Sequence, residues 1–317
     1  MKRKLEDYTF SKLEIKILKE IANENHSLSL LRRSLTIKPS RLSYNLKKLR
    51  QKGIVLFKKK IDKSKKYVYF ADSKHASLLR ELLVTYSHIN WENILAGLGI
   101  EILFQMLDYP RNTFENISEA TSWRYSRDFT ALGIITLDQK GYSINPRFST
   151  LENFLTEYQK FLLNTLVRSI SERAIILWQR DFECLVRAPK NSPISQKNFL
   201  KTATSSLNAF GVQTFSDFDI YFYSKKKKSL RIEDVILHTL LIERDSVRYV
   251  TYSLLLLKKE LGKIDKEYLL KEAQRLDLGL QVNAMLQFLE TKGARTGLTL
   301  PTWKEFVTKA REYKVED

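Results

Sequence analysis

Three runs of apolar residues at helical spacing, followed by two short segments rich in β-branched and aromatic residues, fill residues 10–71 and restrict the folds open to this chain. Leu13, Ile17, Leu18 and Ile21 mark an amphipathic helix from Phe10 to Asn23. Asn25-His26-Ser27 interrupts it, and Ser27 is a side chain able to cap a short second helix with Leu28, Leu31 and Leu35 inward. Thr36-Ile37-Lys38 reads as a tight turn. Pro39 suits the first position of a third helix, which runs to about Lys52 and stops at Gly53. Ile54–Ile61 and Lys66–Ala71 then read as strands flanking a turn at Asp62-Lys63-Ser64-Lys65.

At about 100° per residue, Leu42, Leu46 and Leu49 share the inner face of the third helix. Ser40, Tyr44, Lys47 and Gln51 then face outward, with Arg41 and Lys48 on one flank. These side chains hydrogen-bond base edges or phosphates, and a helix is what fits the major groove. Lys58, Lys59, Lys60, Lys63, Lys65 and Lys66 on the hairpin are placed for flanking phosphates, as are Arg32 and Arg33 on the second helix. A lone run of lysines would only solvate a surface, but the net charge of +18 is unevenly spread. Residues 1–88 hold 22 Lys+Arg against 8 Asp+Glu, residues 89–170 hold 7 against 9, and the remainder 25 against 19. Basic charge gathered in one segment is the footprint of a polyanion-binding module. Residues 10–72 resemble the winged helix-turn-helix domains of MarR/ArsR/TrmB-like archaeal and bacterial regulators, which implies contact with double-stranded DNA in transcription regulation.

Residues 89–170 repeat this order without the charge. Asn90–Leu107 reads as a helix with Trp91, Leu95, Leu98 and Ile102 inward, and Thr113–Thr121 as a second helix with Glu115 and Asn116 near its start. Ser122–Leu132 reads as a third, where Tyr125, Phe129 and Leu132 repeat the spacing of Leu42, Leu46 and Leu49. Ile134–Leu137 and Tyr142–Ile144 form a small hairpin around Asp138-Gln139-Lys140-Gly141. Trp123, Arg124, Arg127 and Thr130 point outward. With so little positive charge, this module reads as structural or protein-binding before it reads as a second DNA reader. Leu151 to Leu166 is an amphipathic helix that packs either on its own domain or on a partner subunit.

Beyond residue 170, Ala174–Leu177 and Glu183–Arg187 read as strands, Ser195–Phe210 as a helix and Asp217–Tyr223 as a strand. Lys225–Lys228 reads as an exposed basic loop, and the chain is helical from Arg231, with a looser stretch at Gly293–Pro301 before a last helix at Trp303–Glu312. The order of Thr204–Val212, Asp219–Tyr223, Arg231–Leu237, Asp265–Ala273 and Val282–Leu289 is similar to the carboxy-terminal half of AbiEi-type antitoxins. That resemblance implies an autorepressor with a toxin-like protein partner, although two winged helices depart from the family pattern. An enzymatic alternative lies in the same stretch: Ser205-Ser206, Gly211, Asp217 and Asp219 follow nearly the spacing of a nucleotidyltransferase signature, where paired carboxylates hold divalent metals. Ser205 replaces the glycine that lets backbone approach phosphate, and two strand-end aspartates facing solvent is the simpler reading.

The single cysteine, Cys184, excludes an intramolecular disulfide and reads as packed beside the Trp178 strand, not as a nucleophile. The four histidines are too scattered for a zinc site. No apolar signal core follows the basic start, and no stretch reaches a membrane-spanning length, so a cytoplasmic protein without a membrane partner is expected. The expected fold is mainly α with small β hairpins: tandem winged helix-turn-helix domains over residues 1–88 and 89–170, then an α+β carboxy-terminal domain over residues 171–317. No catalytic residue, cofactor or metal is assigned. The partners expected are duplex DNA, a second copy of the chain in a homodimer, and a protein at the carboxy-terminal domain. A sequence-neutral nucleoid or replication accessory protein is the third reading.

Overall fold

A capping box opens the first helix of the computed structural model, which describes residues 8–24, 26–59, 66–107, 109–190, 192, 198–293 and 299–315. The Glu14 amide donates to Ser11 Oγ (3.1 Å), and the Ser11 amide donates to Glu14 Oε2 (2.7 Å). Helix α1 (Lys12–Asn23) buries Ile15, Ile17, Leu18 and Ile21. A two-residue strand, β1 (His26–Ser27), leads into α2 (Leu28–Ser34), where Ser27 Oγ accepts from the Leu30 amide. Helix α3 (Pro39–Gln51) has proline at its first position and ends before Gly53, whose φ of +68° is left-handed. Strands β2 (Val55–Lys59) and β3 (Lys66–Phe70) pair antiparallel from Val55↔Phe70 to Lys59↔Lys66, and β1 joins the far edge of β3. The expected turn at Asp62–Lys65 lies outside the described residues. Helix α4 (Lys74–Thr85), absent from the reading of the sequence, packs on α1 through a buried face that includes Leu79, Leu82 and Leu83.

Between residues 89 and 107, two short helices, α5 (Trp91–Ile94) and α6 (Leu98–Gln105), replace the one expected. The break arises because Ala96 bridges Phe10 and the Gly97 amide donates to the Phe10 carbonyl (2.9 Å). It leaves Leu98 39% exposed instead of inward, while Trp91, Leu95 and Ile102 are buried. The expected helix at Thr113–Thr121 is also corrected. Residues 111–117 run through turns, with Asn116 at φ +58°, and α7 (Glu119–Ala131) starts earlier than its predicted counterpart. Phe129 is buried on α7, whereas Leu132 is half exposed because the helix has already ended. A tight hairpin of β4 (Ile135–Asp138) and β5 (Gly141–Ile144) follows. Helix α8 (Ser149–Ile170) carries Phe154 and Tyr158, whose rings stack at 5.6 Å; Tyr158 also stacks on Phe10 at 5.5 Å and donates to the Tyr8 carbonyl. This helix therefore packs on the first half of its own chain.

Two compact units, Met1–Leu166 and Val167–Asp317, result. The second holds a four-stranded antiparallel sheet of β6 (Ile175–Arg180), β7 (Glu183–Pro189), β8 (Phe199–Lys201) and β9 (Phe218–Tyr223), in the order β6-β7-β9-β8. Asp181 and Phe182, both at positive φ, make the β6–β7 turn. The helix expected at Ser195–Phe210 is absent from its described part. Phe199–Lys201 pairs with β9 instead, two 3₁₀ turns follow, and Ser205 Oγ accepts from the Ile220 amide (2.8 Å). Cross-strand bonding here outweighs local helical spacing. Helices α9 (Ile232–Ile242), α10 (Val247–Lys259), α11 (Lys266–Arg275), α12 (Gly279–Glu290) and α13 (Trp303–Glu312) complete the unit. Leu185, Ile220 and Phe222 from the sheet share a core with Leu237, Leu254 and Phe288 from the helices. The fold is thus mixed, with many helices and, among the described residues, three small antiparallel sheets. Among the described residues, no helix is long and apolar enough to cross a membrane.

Candidate nucleic-acid interface

No acidic residue occurs between Glu24 and Asp62, the stretch that builds α2, α3 and β2. Helix α3 sorts its side chains cleanly. Leu42, Leu46 and Leu49 are buried, while Ser40, Arg41, Tyr44, Lys47 and Gln51 are exposed. Tyr44 is 59% exposed, a large aromatic surface left in solvent, and Lys48 is half-buried with its ammonium 5.1 Å from the Tyr44 ring. Arg32 and Arg33 are exposed in the last turn of α2. Lys58 and Lys66 are exposed at the far end of the hairpin, and Lys58 lies 5.7 Å from the Tyr69 ring. Among the described residues, Arg32, Arg33, Arg41 and Lys47 have no ion-pair partner. Lys59 stands opposite Lys66 in the ladder, while Lys60, Lys63 and Lys65 lie outside the described residues.

Two features of this surface escaped the reading of the sequence. Arg50, exposed on α3 with its guanidinium 5.9 Å from the Phe57 ring, extends the basic face toward β2. Lys52 leaves that face altogether. Its ammonium is buried 2.7 Å from Glu14 Oε1 and 4.9 Å from the Phe10 ring. Asn45 is buried beside it, accepting from Ser11 Oγ (3.3 Å) and donating to the Arg41 carbonyl (2.8 Å). These contacts fix the roll of α3 against α1, so the exposed side of α3 is set by buried polar groups as well as by leucines. Behind the end of α3, His75 Nε2 donates to the Lys52 carbonyl (3.1 Å), and its ring packs tilted against Phe161 (4.4 Å). Burial holds its pKa below the ordinary histidine value.

On α7, Trp123, Arg124, Arg127 and Thr130 are all exposed, with the Arg127 guanidinium 4.9 Å from the Trp123 ring and 2.8 Å from Asp128. In the second unit, the two aspartates of the enzymatic reading diverge. Asp217 is exposed, whereas Asp219 is buried 3.0 Å from Lys201 Nζ. Among the described residues, no group of three or more His, Cys, Asp or Glu side chains is placed to hold a metal ion. Cys184 is fully buried on β7, next to the Trp178 strand, and burial raises its thiol pKa well above the ordinary value. Lys227 does not belong to an exposed basic loop. Its ammonium reaches Asp234 (2.5 Å), Tyr268 Oη (2.9 Å) and Glu272 (2.9 Å), and Arg275 links Glu272 to the buried Glu183. Burial opposes these charges, but the paired bonds outweigh it. They hold Lys227 and Arg275 above, and Glu272 below, their ordinary ranges.

The profile of a family described as HVO_2833_C, C-terminal, matches residues 196–315. No curated protein and no solved structure matches the chain.

Proposed function

We propose that this protein is a DNA-binding transcriptional regulator that lays α3 in the major groove of duplex DNA and sets the β2–β3 hairpin on the flanking phosphates. The observation that carries the reading is a basic stretch without acidic residues whose exposed members, Arg41, Tyr44, Lys47 and Gln51, share one face of α3 while the leucines hold the other face inside. The order α1, β1, α2, α3, β2, β3 supports this reading, because it follows the helix and hairpin order expected of a winged helix. Residues 89–170 follow the end of that order with α7 and the β4–β5 hairpin but form turns where its second helix belongs, so DNA contact is assigned to the first module alone. Two copies of the chain belong to the proposal, since one recognition helix covers a single half-site. The partner-binding role of the second unit rests on element order. The pairing of Asp219 with Lys201 does not favour the nucleotidyltransferase alternative. Selection of bound duplexes from a random pool tests the reading. Enrichment of a shared motif supports a regulator, and recovery of unrelated sequences at equal affinity contradicts it in favour of sequence-neutral binding.

A further inference from the structure

Where a helix was expected after residue 110, the chain forms a pinned loop, and beside that loop opens a cleft of about 260 Å³. Arg111 and Tyr142 exchange backbone hydrogen bonds (3.0 and 2.9 Å), and the Arg111 side chain donates to the Gln105 carbonyl and to Tyr109 Oη. The Gln105 side-chain oxygen in turn accepts from the Glu115 amide (2.8 Å). A loop tied at both ends keeps the cleft open without a ligand. Phe114, Trp123 and Tyr142 contribute aromatic walls. Trp123 is 62% exposed, and the Arg127 guanidinium lies against its ring.

The polar lining is equally specific. Asn112, Glu119, Ser122 and Ser126 border the same space, and none of their side chains has a hydrogen-bond partner among the described residues. Ser126 is the telling case: it is only 2% exposed, so its hydroxyl has little access to solvent except through the cleft. Glu119 is the sole charged residue among the described lining residues, and no lysine or arginine is among them.

We propose that this cleft binds a small planar heteroaromatic compound that is neutral or singly cationic. Aromatic walls offer stacking faces to a flat ring and attract positive charge. The hydroxyl, amide and carboxylate groups satisfy a hydrogen-bonding edge, with Glu119 meeting a donor or cation. A phosphate or carboxylate on the ligand would find no counter-charge in the lining. The volume falls below the roughly 300–1,000 Å³ of sites for drug-sized ligands, which limits the occupant to one or two fused rings.

Isothermal titration calorimetry of the full chain with 2-aminobenzimidazole and with benzimidazole-2-carboxylate tests this without reference to DNA. Saturable one-to-one binding of the amine is expected between about 0.1 and 5 mM, the range of ten-atom ligands. Trp123→Ala and Ser122→Phe should each weaken it at least tenfold, and Glu119→Gln at least threefold, with circular dichroism unchanged. No saturable binding of the amine, undiminished binding in both Trp123→Ala and Ser122→Phe, or equal affinity for the carboxylate would overturn the proposal.

Discussion

Lys52 Nζ lies 2.7 Å from Glu14 Oε1, with both side chains all but sealed from solvent. Glu14 also closes the capping box of α1, so one carboxylate starts that helix and anchors the residue that caps α3. A buried ion pair adds little net stability against an apolar pair, but losing one partner strands the other charge. Lys52→Met should therefore destabilise the first unit by about 3–5 kcal/mol, and Glu14→Gln in the same chain should restore most of the loss. Hydrogen exchange of α1 and α3 amides reads both. A single substitution costing under about 1 kcal/mol would show that the pair does not hold the two helices.

Gly53 and Gly133 end α3 and α7 at the same left-handed φ of +68°. A Cβ at Gly53 would fall 2.5 Å from Phe161 Cζ, whereas at Gly133 it would meet nothing within 4 Å. Gly133→Ala should cost only the left-handed strain, about 1–2 kcal/mol. Gly53→Ala should cost more by the displacement of the Phe161 ring from α3, a further 1 kcal/mol or so. Thermal denaturation of the two variants side by side measures the difference, and equal losses would contradict the packing of α8 against that turn.

His238 is fully buried, bonded through Nδ1 to Thr202 Oγ1 (2.9 Å) and stacked on Phe222 at 4.1 Å. Burial, then Lys227 and Arg275, push its pKa down to about 3. The unfolded chain takes up this proton near pH 6.5, while the folded chain refuses it until about pH 3, so stability falls as pH drops through that window. The slope is roughly 1 kcal/mol per pH unit. Glu272, whose pKa is also lowered, adds its loss only below the ordinary carboxylate range, and His75, lowered as well, belongs to the first unit, so in the second unit the interval above about pH 5 is left to His238. Urea titrations at about pH 5 and pH 7, followed by NMR signals of α9, should show the slope in the wild type and a flatter one in His238→Gln. Parallel slopes would exclude His238 as the source.

The helices and hairpin of the first module were legible because caps, turn residues and apolar period agree there: Ser27, Pro39 and Gly53 punctuate a pattern that tertiary packing then keeps. Helix α4 carried the same signal in His75, Leu79, Leu82 and Leu83 and went unread. The two-residue β1 is too short to leave a pattern and exists only through its pairing with β3. At 113–117 the residues that suggest a helix start instead follow Asn116 into a left-handed turn held by the preceding Arg111 and Gln105. In the same way, β9 converts Phe199–Lys201 into a strand. On the candidate interface, the exposed face of α3 followed from helical period, whereas the withdrawal of Lys52 required knowing that Glu14 waits across the helix pair.

The hairpin lysines differ from the α3 side chains in what their loss should do. Lys58→Ala and Lys66→Ala should weaken binding to every duplex alike and lower the slope of log affinity against log salt by about 1 each. Lys47→Ala and Tyr44→Ala should cost about 1–3 kcal/mol on the selected sequence and little on random DNA. Fluorescence anisotropy over a salt series separates the two patterns, and sequence-selective losses from the hairpin lysines would reverse the assignment.

The most direct measurement of the central claim is the affinity of the full chain for duplex DNA at low salt, wild type against a variant with Tyr44→Ala, Lys47→Ala and Lys48→Ala together. Loss of a hundredfold or so on the selected duplex, with circular dichroism unchanged, is the predicted result. Equal affinity of the two proteins would contradict a groove-bound α3.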